Sequence, residues 1–263
     1  MTKLIKLILA TAYWIYLRLS GNKHRKLILY YHGVLEAQRE SFRGQVEFIA
    51  RRCAVVPLNE ITNAQVNDKP VLAITFDDAF ANLLVNAIPT LREYLLPATI
   101  FTPVGNLNAM PQWEMDESNP DKTQWIMTAD QVRELSEMGV GIGSHTLTHL
   151  HLTRLSGEAL EEQLIGSKKS LELIIGKPVE AISYPYGDFD SLILKRAQKV
   201  GYQQGYTIEP RGVKMQDDPM ALPRFVVLPT DSLFKLKLII SGAWEVDYYL
   251  RKVKKTILAL LKS

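Results

Sequence analysis

The chain has 263 residues, 47% of them hydrophobic and 22% charged, enough for one large α/β domain with a real core. Its single cysteine, Cys53, excludes an intrachain disulfide framework and a cysteine-rich metal cluster. A net charge of +3 gives no case for nucleic acid as a partner.

In chain order, the first feature is an apolar stretch from Leu7 to Leu17, bracketed by Lys3, Lys6 and Arg18 and followed by Lys23, Arg25 and Lys26. It is shorter than the roughly 20 apolar residues of a membrane span, and it resembles a signal-peptide core in which no small-x-small cleavage site is clear before Arg18. It reads either as an anchor or interfacial helix, with Tyr13, Trp14 and Tyr16 at the headgroup level, or as a helix packed on the domain. Charge is higher after this segment than before it, which favours a cytoplasmic domain.

Short apolar runs follow at Leu27–Tyr31, Val71–Thr75, Ala98–Thr102, Val140–Ser144, Ala181–Pro185 and Phe225–Leu228, each the size of a buried parallel strand. Between them lie helical patterns. Phe42, Val46, Ile49 and Cys53 share one apolar spacing, which puts the thiol in the core. A capping box at Thr128 and Gln131 opens a helix that Gly139 stops. A second helix runs from near Ser156 to Gly176, and a third from near Asp190 to Gly201. This alternation predicts an α/β fold, either a (β/α) barrel or a doubly wound sheet. Residues 105–127 lack periodicity and read as a loop that lines a binding groove. Residues 231–263 form a second basic amphipathic segment, with Leu236, Ile239 and Ile240, then Arg251, Lys252, Lys254 and Lys255, then Ile257, Leu258, Leu260 and Leu261, and it too reads either as a membrane-surface helix or as a helix packed on the domain.

Three of the apolar runs end in polar clusters, and in a parallel α/β fold those strand ends share one face. The first cluster is Thr75-Phe76-Asp77-Asp78. Adjacent carboxylates after a buried strand are costly unless something offsets their charge, and on extended backbone they point different ways. One can ligate a metal while the other serves as a base; a helix N-cap pair is the alternative. The second cluster, Ser144-His145-Thr146-Leu147-Thr148-His149, would bring His145 and His149 to one side of a helical turn, as a metal site needs. His151 points elsewhere at its spacing. The third, Ser183-Tyr184-Pro185-Tyr186-Gly187, is a rigid turn able to offer backbone N–H groups to an oxyanion.

In this order and at these distances, the three clusters resemble the first motifs of the polysaccharide deacetylases, the NodB-homology group or carbohydrate esterase family 4. The resemblance covers roughly residues 27–229. It implies a distorted (β/α) barrel with a divalent transition metal, often zinc but nickel, cobalt or iron in relatives, held by Asp78, His145 and His149. Asp77 would be the base that activates water, and the Tyr186 N–H part of the oxyanion hole. Two departures stand out. Many members carry an arginine where this chain has Ser183, and they end in a catalytic histidine, whereas no histidine follows His151 here. The stretch Leu27 to Gly33 has the pattern of that missing last motif placed first, so the chain resembles the circularly permuted branch that includes the exopolysaccharide poly-N-acetylglucosamine deacetylases. His32 would then be the general acid, and Arg224, in Leu222-Pro223-Arg224-Phe225, would orient Asp77.

The resemblance implies a metal-dependent hydrolase acting on an acetylated amino-sugar polysaccharide. A non-catalytic glycan-binding protein on the same scaffold, and a deformylase or amidase acting on a lipid-linked sugar, are the alternative readings. Trp113, Trp125, Tyr184 and Tyr186 are sugar-stacking or core aromatics. The implied layout is an apolar segment at 1–22, the deacetylase domain at 23–230 and a basic amphipathic helical segment at 231–263. The basic ends point to a membrane-associated bacterial protein. Exported polysaccharide-modifying relatives oppose the cytoplasmic reading, so the side of the membrane stays open, as does the oligomeric state.

Overall fold

The computed structural model describes residues 3–19, 25–246, 248–250 and 252–253. Eight strands make one sheet: β1 (Lys26–Tyr31), β2 (Ala54–Val55), β3 (Val71–Phe76), β4 (Ala98–Thr102), β5 (Gly141–Ser144), β6 (Ala181–Ser183), β7 (Gln204–Tyr206) and β8 (Phe225–Val226). The helices are α1 (Lys3–Leu19), α2 (Arg39–Arg52), α3 (Leu83–Asn86), α4 (Ile88–Glu93), α5 (Ala129–Glu137), α6 (Gly157–Glu161), α7 (Ser167–Ile175), α8 (Ser191–Val200) and α9 (Leu233–Ile240).

All strand pairs are parallel, in the order β7-β6-β5-β4-β3-β1-β8, with β2 beside β3. Leu222 bridges to Tyr206 just before β8, which draws the two edges together into a distorted (β/α) barrel. The first strand lies between β3 and the last one, so its C-terminal end joins the same rim as theirs. Every residue of β3 is buried, which explains its unbroken apolar run: helices cover one face and barrel filling covers the other. Ile28, Ala73, Phe101, Tyr206 and Leu222 form one buried cluster among the strands, and Leu27, Leu29 and Tyr31 pack with Phe42, Val46 and Ile49 of α2.

The helix ends follow local chemistry. The Thr128 hydroxyl accepts the Gln131 N–H, and the Gln131 side chain accepts the Thr128 N–H. Asp190 caps α8, and Gly176 and Gly201 end α7 and α8 with left-handed φ values of 66° and 100°. Cys53 is buried against α2, and burial pushes its thiol up to about 12.

The apolar residues of the two terminal segments divide between the core and the surface. Leu236, Ile239 and Ile240 are buried in the core on α9 and present no apolar face outward. Tyr13 and Trp14 turn inward on α1, packed against Leu238 and Ala243; Tyr16 alone of the three aromatics faces out. Trp125 is half exposed and away from the groove, its carbonyl accepting the Ala81 N–H. His24, Arg251, Lys254, Lys255, Ile257, Leu258, Leu260 and Leu261 lie outside the described residues.

Candidate active site

The strand registers assemble the site. Tyr31 pairs with Phe76, so His32 and Asp77 are the next residues along two adjacent strands, and the Asp77 N–H donates to the Tyr31 carbonyl at 2.9 Å. Thr102 pairs with Ser144, and the His145 N–H donates to the Thr102 carbonyl at 3.0 Å. A cavity of about 280 Å³ opens at this rim, lined by His32, Asp77, Asp78, His145, His149 and Tyr186 together with Trp113 and Glu114 of the aperiodic loop.

Asp77 and Asp78 diverge as their extended approach requires, and neither caps a helix. Asp78 has a left-handed φ of 69°, which turns it toward the histidines. Its Oδ1 lies 3.5 Å from His145 Nε2 and 3.4 Å from His149 Nε2. One donor atom from each of the three residues falls within 4.8 Å of the others. Asp78 Oδ1 is buried with no hydrogen-bond partner. Burial first, then the charge of Asp77, pushes the Asp78 carboxyl well above the ordinary range. Burial likewise pushes His145 down to about 4 and His149 down to about 2, leaving both imidazoles neutral. A partnerless buried carboxylate oxygen facing two neutral imidazoles is a donor set that a divalent cation satisfies. His145 Nδ1 is hydrogen-bonded to the Ser183 carbonyl at 2.8 Å, which fixes its ring with Nε2 toward Asp78.

The two histidines do not sit on a helical turn. The loop between them turns through Thr146 (φ 64°) and His149 (φ 59°), both left-handed. It is held from outside: the Thr148 N–H donates to Gln163 Oε1 at 2.9 Å, and Gln163 Nε2 donates to the Thr148 hydroxyl at 2.9 Å. Ser144 Oγ meets Ser167 Oγ at 2.6 Å and accepts the Thr146 N–H at 3.1 Å. Gln163 belongs to a π-helical stretch, Glu162–Gly166, between α6 and α7, a widened turn of the sort that recurs at functional sites. Gln163→Leu is expected to weaken metal affinity about tenfold, read by chelator competition, as loss of such outer support does elsewhere. Unchanged affinity would show that the loop holds its shape without the amide.

Asp77 is buried with Arg224, whose Nη1 and Nη2 donate to its two oxygens at 2.8 Å each. The remaining guanidinium donors reach the Thr207 carbonyl at 3.0 Å, the Thr75 hydroxyl at 3.2 Å and the Ser183 hydroxyl at 2.6 Å. The ring of Tyr30 lies 4.6 Å from the guanidinium and that of Phe101 5.3 Å. Ser183 is small enough to leave this space to an arginine arriving from the start of β8. Burial raises the Asp77 carboxyl, but Arg224, His145 and the Arg224 hydrogen bonds outweigh it and hold the group at about 2.

His32 lines the cavity beside Tyr30, and its charge bears on both Asp77 and Asp121. The turn after it is tightly fixed: Asp121 accepts the Gly33 N–H, Asn82 accepts the Val34 N–H at 3.1 Å, and Asn86 donates to the Val34 carbonyl at 2.9 Å. A Cβ at Gly33 would lie 2.6 Å from Asp121 Oδ1 and 3.0 Å from Asn82. Asp121, Asn82, Asn86 and Gln163 were not legible as site residues. Asp121 lies in the aperiodic stretch, and the others look like ordinary helix-surface amides.

Tyr186 is left-handed (φ 59°, ψ 5°) between Pro185 and Gly187, a strained state for a non-glycine residue. Its ring stands edge-on to His149 at 4.8 Å and stacks on His151 at 3.9 Å. His151 pairs with Asp188 at 3.2 Å, outside the metal group. Trp113 stacks on His149 at 4.3 Å, whereas Tyr184 is fully buried with its hydroxyl donating to the Met220 carbonyl at 2.9 Å.

A parallel barrel whose rim gathers an aspartate and two histidines fit for a metal, with a second aspartate locked to arginine, defines an α/β barrel with a candidate metal site. The profile of the family described as polysaccharide deacetylase matches residues 64–205, and the chain belongs to that family. YxkH of Bacillus subtilis (strain 168), named for the same family, is 33% identical over 163 residues, covering 62% of this chain and 53% of that protein. The poly-beta-1,6-N-acetyl-D-glucosamine N-deacetylase of Staphylococcus epidermidis is 27% identical over 164 residues, 59% of this chain and 53% of that one. The chain thus spans about half the length of the curated relatives it matches. In fold it is similar to the Streptococcus pyogenes deacetylase PplD, solved in complex with acetate, with a TM-score of 0.70 at 22% identity over 82% of this chain and 98% of that one.

Proposed function

We propose that the chain removes N-acetyl, or a similar small acyl group, from an amino-sugar polysaccharide with Asp78, His145 and His149 holding zinc or a related divalent metal. The observation that carries this reading is the meeting, in one cavity, of a donor group fit for a metal and a second carboxylate kept ionised by Arg224. When bound, the metal supplies Lewis-acid polarisation of the acyl carbonyl and acidifies water.

Asp77 accepts the proton of the attacking water. Arg224 and Ser183 fix the carboxylate's orientation while leaving it charged. The Tyr186 N–H, presented by its left-handed turn, donates to the oxygen on which negative charge develops. His32, beside Asp77 across the β1–β3 register, delivers a proton to the sugar nitrogen as the C–N bond breaks. Carboxylic acid and free amine leave; one water is consumed. Trp113 and Tyr186 flank the cavity as surfaces for a sugar ring.

A non-catalytic scaffold would be free to lose Asp77 or a metal donor, and this chain keeps them all. The name of the Staphylococcus epidermidis relative favours a β-1,6-linked N-acetylglucosamine polymer. The test is acetate release from poly-N-acetylglucosamine, chitooligosaccharides and a lipid-linked N-acetylated amino sugar. Turnover confined to the polymer is the expected result. Turnover confined to the lipid-linked sugar would move the substrate class, and no release from any of them would contradict the reading.

A further inference from the structure

Among the side chains that the structure describes, the outward face of α1 is apolar. Leu4, Ile8, Leu9, Ala12, Ile15 and Tyr16 fall at the three- and four-residue spacings that line one side of a helix, and all are exposed, Leu4 at 67% and Tyr16 at 61%. The opposite side is apolar too, but it is covered: Ala10 and Leu17, with Leu7, Tyr13 and Trp14, pack on Leu238 and Ala243. Leu233 and Phe234, at the start of α9, extend the exposed surface, Phe234 lying edge-on to Trp14 at 6.4 Å. A helix with one apolar side packed on the domain and another apolar side bare marks an interaction surface.

Charge identifies the partner. Residues 1–26 hold six lysines and arginines and no acid, and residues 231–263 hold seven against three acids, whereas residues 27–230 hold 18 against 25. The apolar face is therefore built from two segments that are basic in sequence, whereas the chain between them is acidic. A second copy docked on the same face would bring two basic ends together, a like-charge cost. A glycan would find no hydrogen-bonding side chain among Leu4, Ile8, Leu9, Ala12 and Ile15. An anionic bilayer meets both features at once. Among the described residues no helix is long and apolar enough to cross a membrane.

We propose that α1 lies flat in the interfacial zone of an anionic lipid surface, its apolar face among the acyl chains and the basic residues of both chain ends at the headgroups. The acidic body is then repelled from the surface, which leaves the barrel beside the membrane and not embedded in it.

The experiment is flotation of the full chain with vesicles of equal parts phosphatidylglycerol and phosphatidylcholine, beside pure phosphatidylcholine and raised salt. The comparison protein carries Ile8→Glu with Ile15→Glu; melting temperature reports folding, and sedimentation velocity reports oligomeric state without lipid. Wild type should float with anionic vesicles, less at high salt or on pure phosphatidylcholine, and the variant should lose about tenfold or more of its partitioning at an unchanged melting temperature. If the glutamates unsettle the fold, Leu4→Ser with Tyr16→Ser reads the same face at its two most exposed positions. No flotation of wild type, equal flotation of a folded variant, or a lipid-free dimer that the variant dissolves would overturn the proposal, the last in favour of a second copy.

Discussion

Asp77→Asn is expected to lower kcat for acyl release by about 10²- to 10⁴-fold, the usual worth of a positioned proton acceptor, while metal content stays at the wild-type level. The substitution removes the charge and the basic oxygen but keeps the volume and one acceptor for Arg224. Asp78, not Asp77, faces the two histidines, so metal retention is the discriminating readout. Loss of metal together with activity would mean that Asp77 belongs to the donor set. Activity within tenfold of wild type would mean that another group takes the proton.

Arg224→Met is expected to cost stability as well as activity. The guanidinium is fully buried, and its removal strands the Asp77 carboxylate and leaves the Thr207 carbonyl and the Ser183 hydroxyl without their donor. Breaking one side of such a pair typically costs about 3–5 kcal/mol, and for a chain of this size that is a fall in melting temperature of about 10 °C. The pH dependence has a definite sign. In wild type the Asp77 carboxyl is held at about 2, below the roughly 3.9 of an unfolded chain, so its pairing adds stability that is full above that value and lost as pH falls through about 2. In the variant burial, the largest influence on the group, is opposed only by His145 and His32, and the carboxyl is expected above its unfolded value, so stability is lost as pH rises. The deficit against wild type should be small in strong acid and should grow through about pH 4. Asp77→Asn combined with Arg224→Met should melt higher than Arg224→Met alone, because no buried charge is then stranded. A melting temperature for Arg224→Met equal to wild type at neutral pH would remove the basis for the pairing.

Much of this site was legible before the fold was known, for a specific reason. Buried parallel strands read as apolar runs, and their C-terminal ends converge; the polar residues at 77–78, 144–149 and 183–187 therefore had to meet if the fold was a parallel barrel. His32 ends an apolar run like the others, but it was the resemblance to the permuted branch that placed it, and Arg224, among the site residues. What escaped reading was the geometry that positions those residues. The histidine spacing fits a helical turn equally well, and only the left-handed Thr146 and His149 show that the loop closes differently. The clasp of Gln163 on Thr148 depends on a π-helical stretch whose residues carry an unremarkable helical pattern. Asp121 reaches the His32 turn from a segment without periodicity, fixed by tertiary contacts alone. Strands β2 and β7 escaped too: β2 is only two residues long at the end of the α2 pattern, and Gln204-Gly205-Tyr206 of β7 shows neither an apolar run nor alternation.

The most direct test of the central claim is metal content and acetate release measured on the same preparations of wild type and Asp78→Ala. The expected result is about one divalent metal per folded wild-type chain, the stoichiometry of a single site with one carboxylate and two imidazoles, with both metal and acetate release lost in the variant at a retained fold. A wild type that takes up no metal after reconstitution and releases no acyl group, or an Asp78→Ala protein that keeps both, would contradict it.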